Sequence, residues 1–264
     1  MSIKDITLGR YVHGTSVLHR LDPRTKLLSL LVISVVLFTG NNWYSLAIIG
    51  VYTGTACVLS GLKTSYLLRS LMPFKWLIII TVLLNIISVG GHIVIEAPLP
   101  YGGITLEGLE SGILYGCRIA FLVILASILT LTTEPISLVD GIEKLLYPFK
   151  KIGLNPHDTA IAMAITIRFI PILLDEAVKI RKSLIARGLR ADGGMIAKMR
   201  TVSLLFLPLF HSAVRRAENL AIAMDCRLYR SGKPRTRFNE TRILPRDWAV
   251  LIASVIVAVI IMVI

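Results

Sequence analysis

The chain has 264 residues, 55% of them hydrophobic, with a mean hydropathy of +0.73; these values exclude an ordinary soluble domain and indicate an integral membrane protein. A net charge of +13 and a pI near 10.0 fit nucleic-acid binding, attraction to anionic lipid, or the positive-inside bias of membrane proteins, and the placement of the charges decides among them. Cys57, Cys117 and Cys226 are far apart and form no Cys-x-x-Cys, which argues against a disulfide framework or a zinc site.

Residues 1–26 are polar and basic. No cleavable signal is evident there, because the first apolar run begins only near Leu27 and no Ala-x-Ala site follows it. Asp22-Pro23 predicts a helix start, with aspartate as N-cap and proline at the first position. Apolar runs follow at 27–40, 43–60, 76–95, 113–133 and 248–264. They approach the roughly 20 residues needed to cross a bilayer, so five spans are expected, with Lys26 snorkelling to help the short first one.

Five spans place the termini on opposite sides. With the N-terminus in the cytoplasm, the inner segments 1–26, 61–75 and 134–247 hold 5, 3 and 20 of the 29 Lys and Arg residues, and only Arg118 remains. The outer segments 41–42 and 96–112 hold none, and the second carries Glu96, Glu107 and Glu110. This positive-inside pattern accounts for the net charge without nucleic acid. Arg118, inside the fourth run, is a functional candidate by its position in the membrane. The plainer reading sends it back to Glu110, eight residues earlier on nearly the same helical face.

Segment 134–247 is too long for a loop and predicts a structure of its own. Gly141–Lys151 reads as a short amphipathic helix with Leu145, Leu146 and Phe149 on one side. Asn155-Pro156 opens a long helix running to about Arg187, where Gly188 is a natural C-cap. A second long helix covers about Met195 to Arg227. Each helix has an apolar first half, 160–174 and 202–210, and a striped second half. Both apolar halves are short for a span, and Arg168 interrupts the first. They read as an inner-leaflet layer or an interface for another membrane protein, with membrane insertion as the alternative. The two helices share a plan. Phe169-Ile170-Pro171 precedes Arg187 by 16 residues from the proline, and Phe206-Leu207-Pro208 precedes Arg227 by 19. Each ends in an Arg-x-x-Arg pair, Arg187 with Arg190 and Arg227 with Arg230. One basic residue at a helix end is explained by the helix dipole alone. Two similar ends point to recognition of partner carboxylates, one partner per arginine.

Catalytic patterns are missing. Gly232-Lys233 is followed by Pro234 and lacks the P-loop context, no Gly-x-Ser-x-Gly or His-Glu-x-x-His occurs, and the five histidines have no metal-ligand spacing. The chain therefore reads as a non-enzyme without a metal or cofactor of its own.

Several stretches resemble the transmembrane (T) component of energy-coupling factor transporters, a branch of the ATP-binding-cassette importers. The residues are Ser16-Val17-Leu18-His19-Arg20-Leu21-Asp22-Pro23-Arg24-Thr25-Lys26, Ile104-Thr105-Leu106-Glu107-Gly108-Leu109 with Arg118, Arg168-Phe169-Ile170-Pro171, and Ala186-Arg187-Gly188. The family's second Ala-Arg-Gly stands here as Cys226-Arg227-Leu228, which keeps only the arginine. The resemblance implies an all-α membrane protein of about five transmembrane helices plus a cytoplasmic module of amphipathic coupling helices. Its divisions would be 1–133 (spans one to four), 134–247 (coupling module) and 248–264 (last span). It implies two ATPase subunits, which would be non-identical and would hold the ATP and magnesium, and a small substrate-binding membrane protein, the S component. Ala186, Arg187, Gly188, Cys226, Arg227 and Leu228 would contact the ATPases, with Arg190 and Arg230 as secondary contacts. Phe169, Ile172, Leu205, Phe206 and Leu209 would face the S component, whose cargo would be a vitamin or a transition-metal ion such as cobalt or nickel. A self-contained secondary transporter or channel is the competing class; its only polar or broken-helix candidates are Asn85, Ser88 and Gly90-Gly91.

Overall fold

The computed structural model describes residues 12, 14–40, 42–90, 93–96, 103–146, 156–188, 195–229 and 244–263. The chain divides into two compact units, Gly9–Gly141 with Glu240–Ile264, and a second that contains Ile142–Asn239.

The first unit is a helical bundle. It comprises α1 (Pro23–Thr39), α2 (Trp43–Ser60), α3 (Thr64–Leu71), α4 (Lys75–Ser88), α5 (Leu106–Thr132) and α9 (Pro245–Val263). A short 3-10 turn, Met72–Phe74, joins α3 to α4. The division between the two units falls within the chain of helix α6 (Pro135–Leu146), which begins six residues before the predicted Gly141; residues 147–151 of that prediction lie outside the described set. A two-stranded antiparallel hairpin, β1 (Ile93–Glu96) with β2 (Gly103–Thr105), precedes α5.

Among the described residues four stretches are long and apolar enough to cross a membrane: Trp43–Ser60, Thr64–Ser88, Leu106–Thr132 and Pro245–Val263. The first predicted span, α1, is shorter, with 17 residues. Two boundaries differ from expectation. Segment 61–75 is mostly helical and continuous with the third run, which ends at Ser88 instead of residue 95. The fourth helix starts at Leu106, seven residues before the apolar run, because Thr105 caps it. Its hydroxyl accepts from Gly108 N at 3.1 Å and donates to the Val89 carbonyl at 2.6 Å. That capped start and the α4 backbone come together closely. A Cβ on Gly108 would lie 3.0 Å from the Asn85 carbonyl, and one on Gly112 3.0 Å from the Val82 carbonyl. Glycine here permits close approach of two membrane helices.

Arg118 lies about three turns into α5, deeper than the apolar run suggested. It is buried, donates from Nη2 to the Gly40 carbonyl at the end of α1, and its guanidinium carbon sits 4.9 Å from the Tyr115 ring centroid. One observed partner of Arg118 is thus a helix-terminal carbonyl, and Glu110 accepts from the Trp43 indole. A cation at a helix C-terminus is favourable on dipole grounds.

The motif 16–26 forms a polar knot within this unit. Asp22 caps α1 by accepting from Arg24 N at 3.1 Å. Asp247, fully buried at 0% exposure, accepts from Asp22 N at 2.8 Å, Thr25 Oγ1 at 3.2 Å and Leu244 N at 2.7 Å. Lys26 Nζ donates to the Thr132 carbonyl at 3.0 Å and to Thr133 Oγ1 at 3.1 Å. The starts of α1 and α9 and the end of α5 are fixed together by these bonds. Upstream, Val12 N donates to the Leu131 carbonyl at 3.0 Å, and the His19 ring bridges Ser16 Oγ at 2.6 Å and the Val12 carbonyl at 2.9 Å. Beyond the knot, Val36, Leu37 and Ile49 pack with Ala258 and Ile261 in the apolar core.

Asp247→Ala would orphan two backbone donors, Asp22 N and Leu244 N, each at a cost of about 1–3 kcal/mol when buried, while the Thr25 hydroxyl keeps the Asp22 carbonyl at 2.6 Å. It is expected to lower the melting temperature of the detergent-solubilised protein far more than Trp248→Ala, an exposed neighbour. Equal thermal unfolding of the two variants would show that the knot does not carry the bundle.

Candidate coupling ends and apolar face

The second unit holds the two long helices, α7 (Pro156–Ala186) and α8 (Met195–Cys226). Pro156 opens α7 as predicted, while its expected cap Asn155 lies outside the described residues, as do Arg190 and Arg230. Both helices continue through their internal prolines, Pro171 and Pro208. They pack on each other and are joined by an ion pair, Arg216 Nη2 to Glu176 Oε2 at 2.9 Å.

This ion pair explains the unequal proline spacing. Arg187 follows Glu176 by eleven residues, and Arg227 follows Arg216 by eleven. The three-residue difference counted from the prolines therefore lies wholly before the crossing, where the intervals are five and eight. Eleven residues make close to three helical turns and roughly 16 Å of rise. Each terminal arginine is therefore offset from its clasp residue by the same distance and by nearly the same helical phase.

The two ends also share one backbone geometry. Arg187 N donates to the Ser183 and Leu184 carbonyls at 3.1 and 3.2 Å; Arg227 N donates to those of Ala223 and Met224 at 3.3 and 3.1 Å. The next residue is left-handed in both cases, Gly188 at φ 94° and Leu228 at φ 58°. Gly188 N then reaches the Ile185 carbonyl at 3.0 Å, and Leu228 N that of Asp225 at 2.9 Å. At the second end Tyr229 N closes onto the Met224 carbonyl at 2.9 Å, which completes a Schellman turn. Glycine takes this conformation at no steric cost, whereas leucine is strained by about 1–2 kcal/mol. The departure from Ala-Arg-Gly at 226–228 has changed the side chains and kept the turn. Ala186, Arg187, Gly188, Cys226, Arg227 and Leu228 are all exposed, Leu228 to 78%.

The apolar first halves divide differently than periodicity suggested. Phe169, Ile172, Leu205 and Leu209 are half-buried, and Phe206 alone of the five predicted residues is largely exposed, at 65%. Its exposed neighbours are Val202, Leu207 at 71%, and Phe210, which stacks on Phe206 with ring centroids 6.0 Å apart. Sequence reasoning missed these three residues, because an apolar stretch does not say which side meets the paired helix. It also missed the Glu176–Arg216 clasp, whose signal was two opposite charges at equal distance from the two arginines.

Among the described residues no group of three or more His, Cys, Asp or Glu side chains is arranged to hold a metal ion. The chemistry on offer is recognition: two exposed guanidinium groups on matched helix ends, and an apolar face on α8.

Comparison with known proteins gives the same direction. Residues 14–238 match the family described as CbiQ, cobalt transport protein. The energy-coupling factor transporter transmembrane protein EcfT of Thermosediminibacter oceani is 41% identical over 259 residues, covering 97% of each chain. The protein of the same name from Brevibacillus brevis is 42% identical over 263 residues, 98% of each chain. That of Bacillus subtilis is 37% identical over 253 residues, 95% of each chain. Matches of this identity along nearly the full length place the chain in the CbiQ family of cobalt transport proteins, with the EcfT energy-coupling factor transporter transmembrane proteins as its relatives.

Proposed function

We propose that this multi-pass membrane protein is the energy-coupling transmembrane subunit of an importer, and that it carries no catalytic activity itself. Two ABC ATPase subunits, which hold the ATP and magnesium, seat on the ends of α7 and α8. A substrate-binding S component rests on the apolar face, and ATP-driven movement of the helix ends reorients it to release a vitamin or a transition-metal ion. The observation that carries this reading is the matched pair of ends: the same turn, the same exposed arginine and the same eleven-residue interval from one clasp. Arg190 and Arg230 are secondary ATPase contacts in this reading. Family membership supports it, since the relatives are named as transmembrane proteins of energy-coupling factor transporters. The charge distribution supports a cytoplasmic N-terminus and a cytoplasmic coupling module.

Topology is testable by labelling in intact cells, with Cys57, Cys117 and Cys226 replaced by alanine. A cysteine at Gly103 is expected to react with a membrane-impermeant maleimide, and one at Ser183 to react only after lysis. The opposite pattern would invert the orientation.

The apolar face is tested at its exposed positions, where internal packing is least disturbed. Phe206→Glu or Leu207→Glu is expected to release the S component from the purified complex while the ATPases stay, since an unpaired carboxylate buried in an apolar interface costs several kcal/mol. Retention of the S component with normal uptake would assign the face to lipid.

For the arginines, Arg187→Ala and Arg227→Ala are each expected to weaken ATPase co-purification by roughly 1.5–3 kcal/mol, the range of a charge-assisted contact. The double variant should lose far more, because each site raises the effective concentration at the other. Lysine should restore only part, lacking the planar fork. Melting temperature, unchanged in all variants, is the folding control. Full ATPase binding and uptake by the double alanine variant would reduce both arginines to helix caps.

A further inference from the structure

The two coupling ends are alike in backbone and in arginine, and they differ in the groups beside the arginine. After Arg187 stands Gly188, around whose Cα lies open space. After Arg227 stands Leu228, in the same left-handed turn and 78% exposed. A leucine in this conformation is held against its backbone preference, and most of its side chain lies in water, so its own chain gives it little packing in return. Glycine or asparagine would fit the turn better. The clasp interval is eleven residues on both sides, so spacing does not distinguish the two ends. What distinguishes them is an apolar knob on one and a bare backbone on the other.

Resting on the reading that each arginine seats an ATPase, we propose that Leu228 determines which ATPase seats on the end of α8. That subunit presents a carboxylate to Arg227 and, beside it, an apolar pocket for the leucine side chain. The subunit at the end of α7 has a groove shaped for Gly188, closed where the leucine would go. Selectivity then has an attractive and a repulsive part, as discrimination between similar partners generally requires. Close backbone approach is open to the glycine end alone. Both ATPases would bind through the same guanidinium contact, and the orientation of an unlike pair would be set by one side chain.

The test uses the tagged full-length chain co-purified with its ATPase subunits in mild detergent, with each ATPase quantified by mass spectrometry. Arg227→Ala identifies the subunit held at α8 by its selective loss. Leu228→Ala and Leu228→Gly are expected to reduce retention of that same subunit by about tenfold, the lower range for losing a buried leucine, and to leave the other subunit in place. Leu228→Gly relieves the strained turn, so its melting temperature should not fall. It should also admit the α7-type subunit at the α8 end. Two identical ATPases in the wild-type complex would overturn the proposal. Unchanged ATPase ratios in both Leu228 variants, with arginine variants still losing subunits, would overturn it and leave the coupling reading intact. Loss in Leu228→Gly alone would trace to backbone freedom and also overturn it. If the arginine variants keep both ATPases, the coupling reading falls first and this inference with it.

Discussion

A right-handed helix of L-residues can be stopped sharply by placing one residue in the left-handed region. The last carbonyls then take hydrogen bonds from the turn instead of from further helix. Both long helices here use this device immediately after an arginine, at Gly188 and Leu228. The turn leaves the arginine as the cap residue, the first beyond the helix, exposed and at a fixed place on the helix end. Everything proposed for the second unit depends on that local constraint. Without the left-handed residue the helix would fray or continue, and the guanidinium would have no defined position. Leucine satisfies the constraint at a conformational cost, and glycine does so without one.

The first unit follows a different logic. Its buried Asp247, Lys26 and Arg118 find their partners inside the bundle, in keeping with the need to satisfy polar groups within a membrane. Asp247 gathers donors from two helix starts, Lys26 reaches the C-terminal carbonyl of α5, and Arg118 takes the carbonyl that ends α1. Each cation thus lies at a helix C-terminus, where the dipole favours it. The described arginines of the coupling ends, by contrast, are exposed. Lys26, Arg118 and Asp247 tie helices together inside the bundle, whereas Arg187 and Arg227 stand open at helix ends.

Much of this was legible in the sequence, and the failures have physical reasons. Asp22-Pro23 marked a helix start because capping is local chemistry, readable from two residues. The end of α7 was readable for the same reason, from Gly188. The start of α5 was not, since Thr105 caps a turn that carries Glu107 and Glu110, and hydropathy sees only where the apolar run begins. Arg118 was directed to Glu110 by helical spacing, yet one observed partner comes from the end of α1, and tertiary contacts of this kind leave no periodic trace. Leu205 and Leu209 were chosen for an outer face that belongs to Val202, Phe206, Leu207 and Phe210. An apolar-all-round segment carries no phase, so only the packing of α7 on α8 could supply it. The left-handed Leu228 was invisible for a stronger reason: its residue type argues against its conformation.

The position of the clasp also divides each coupling helix mechanically. Between Glu176 and Arg187, and between Arg216 and Arg227, neither helix contains proline or glycine, and the residues are mostly good helix formers such as Ala, Leu, Lys, Arg and Met. These eleven-residue arms keep every backbone hydrogen bond available and act as stiff levers. Before the clasp, Pro171 and Pro208 each remove a donor from the helix and crowd the preceding turn, the usual cause of a bend. These prolines lie five and eight residues before the clasp, next to the apolar halves. In the proposed complex, a displacement imposed at either arginine would reach the clasp along an arm free of proline and glycine. The unequal proline positions leave the two arms from clasp to arginine matched at eleven residues each.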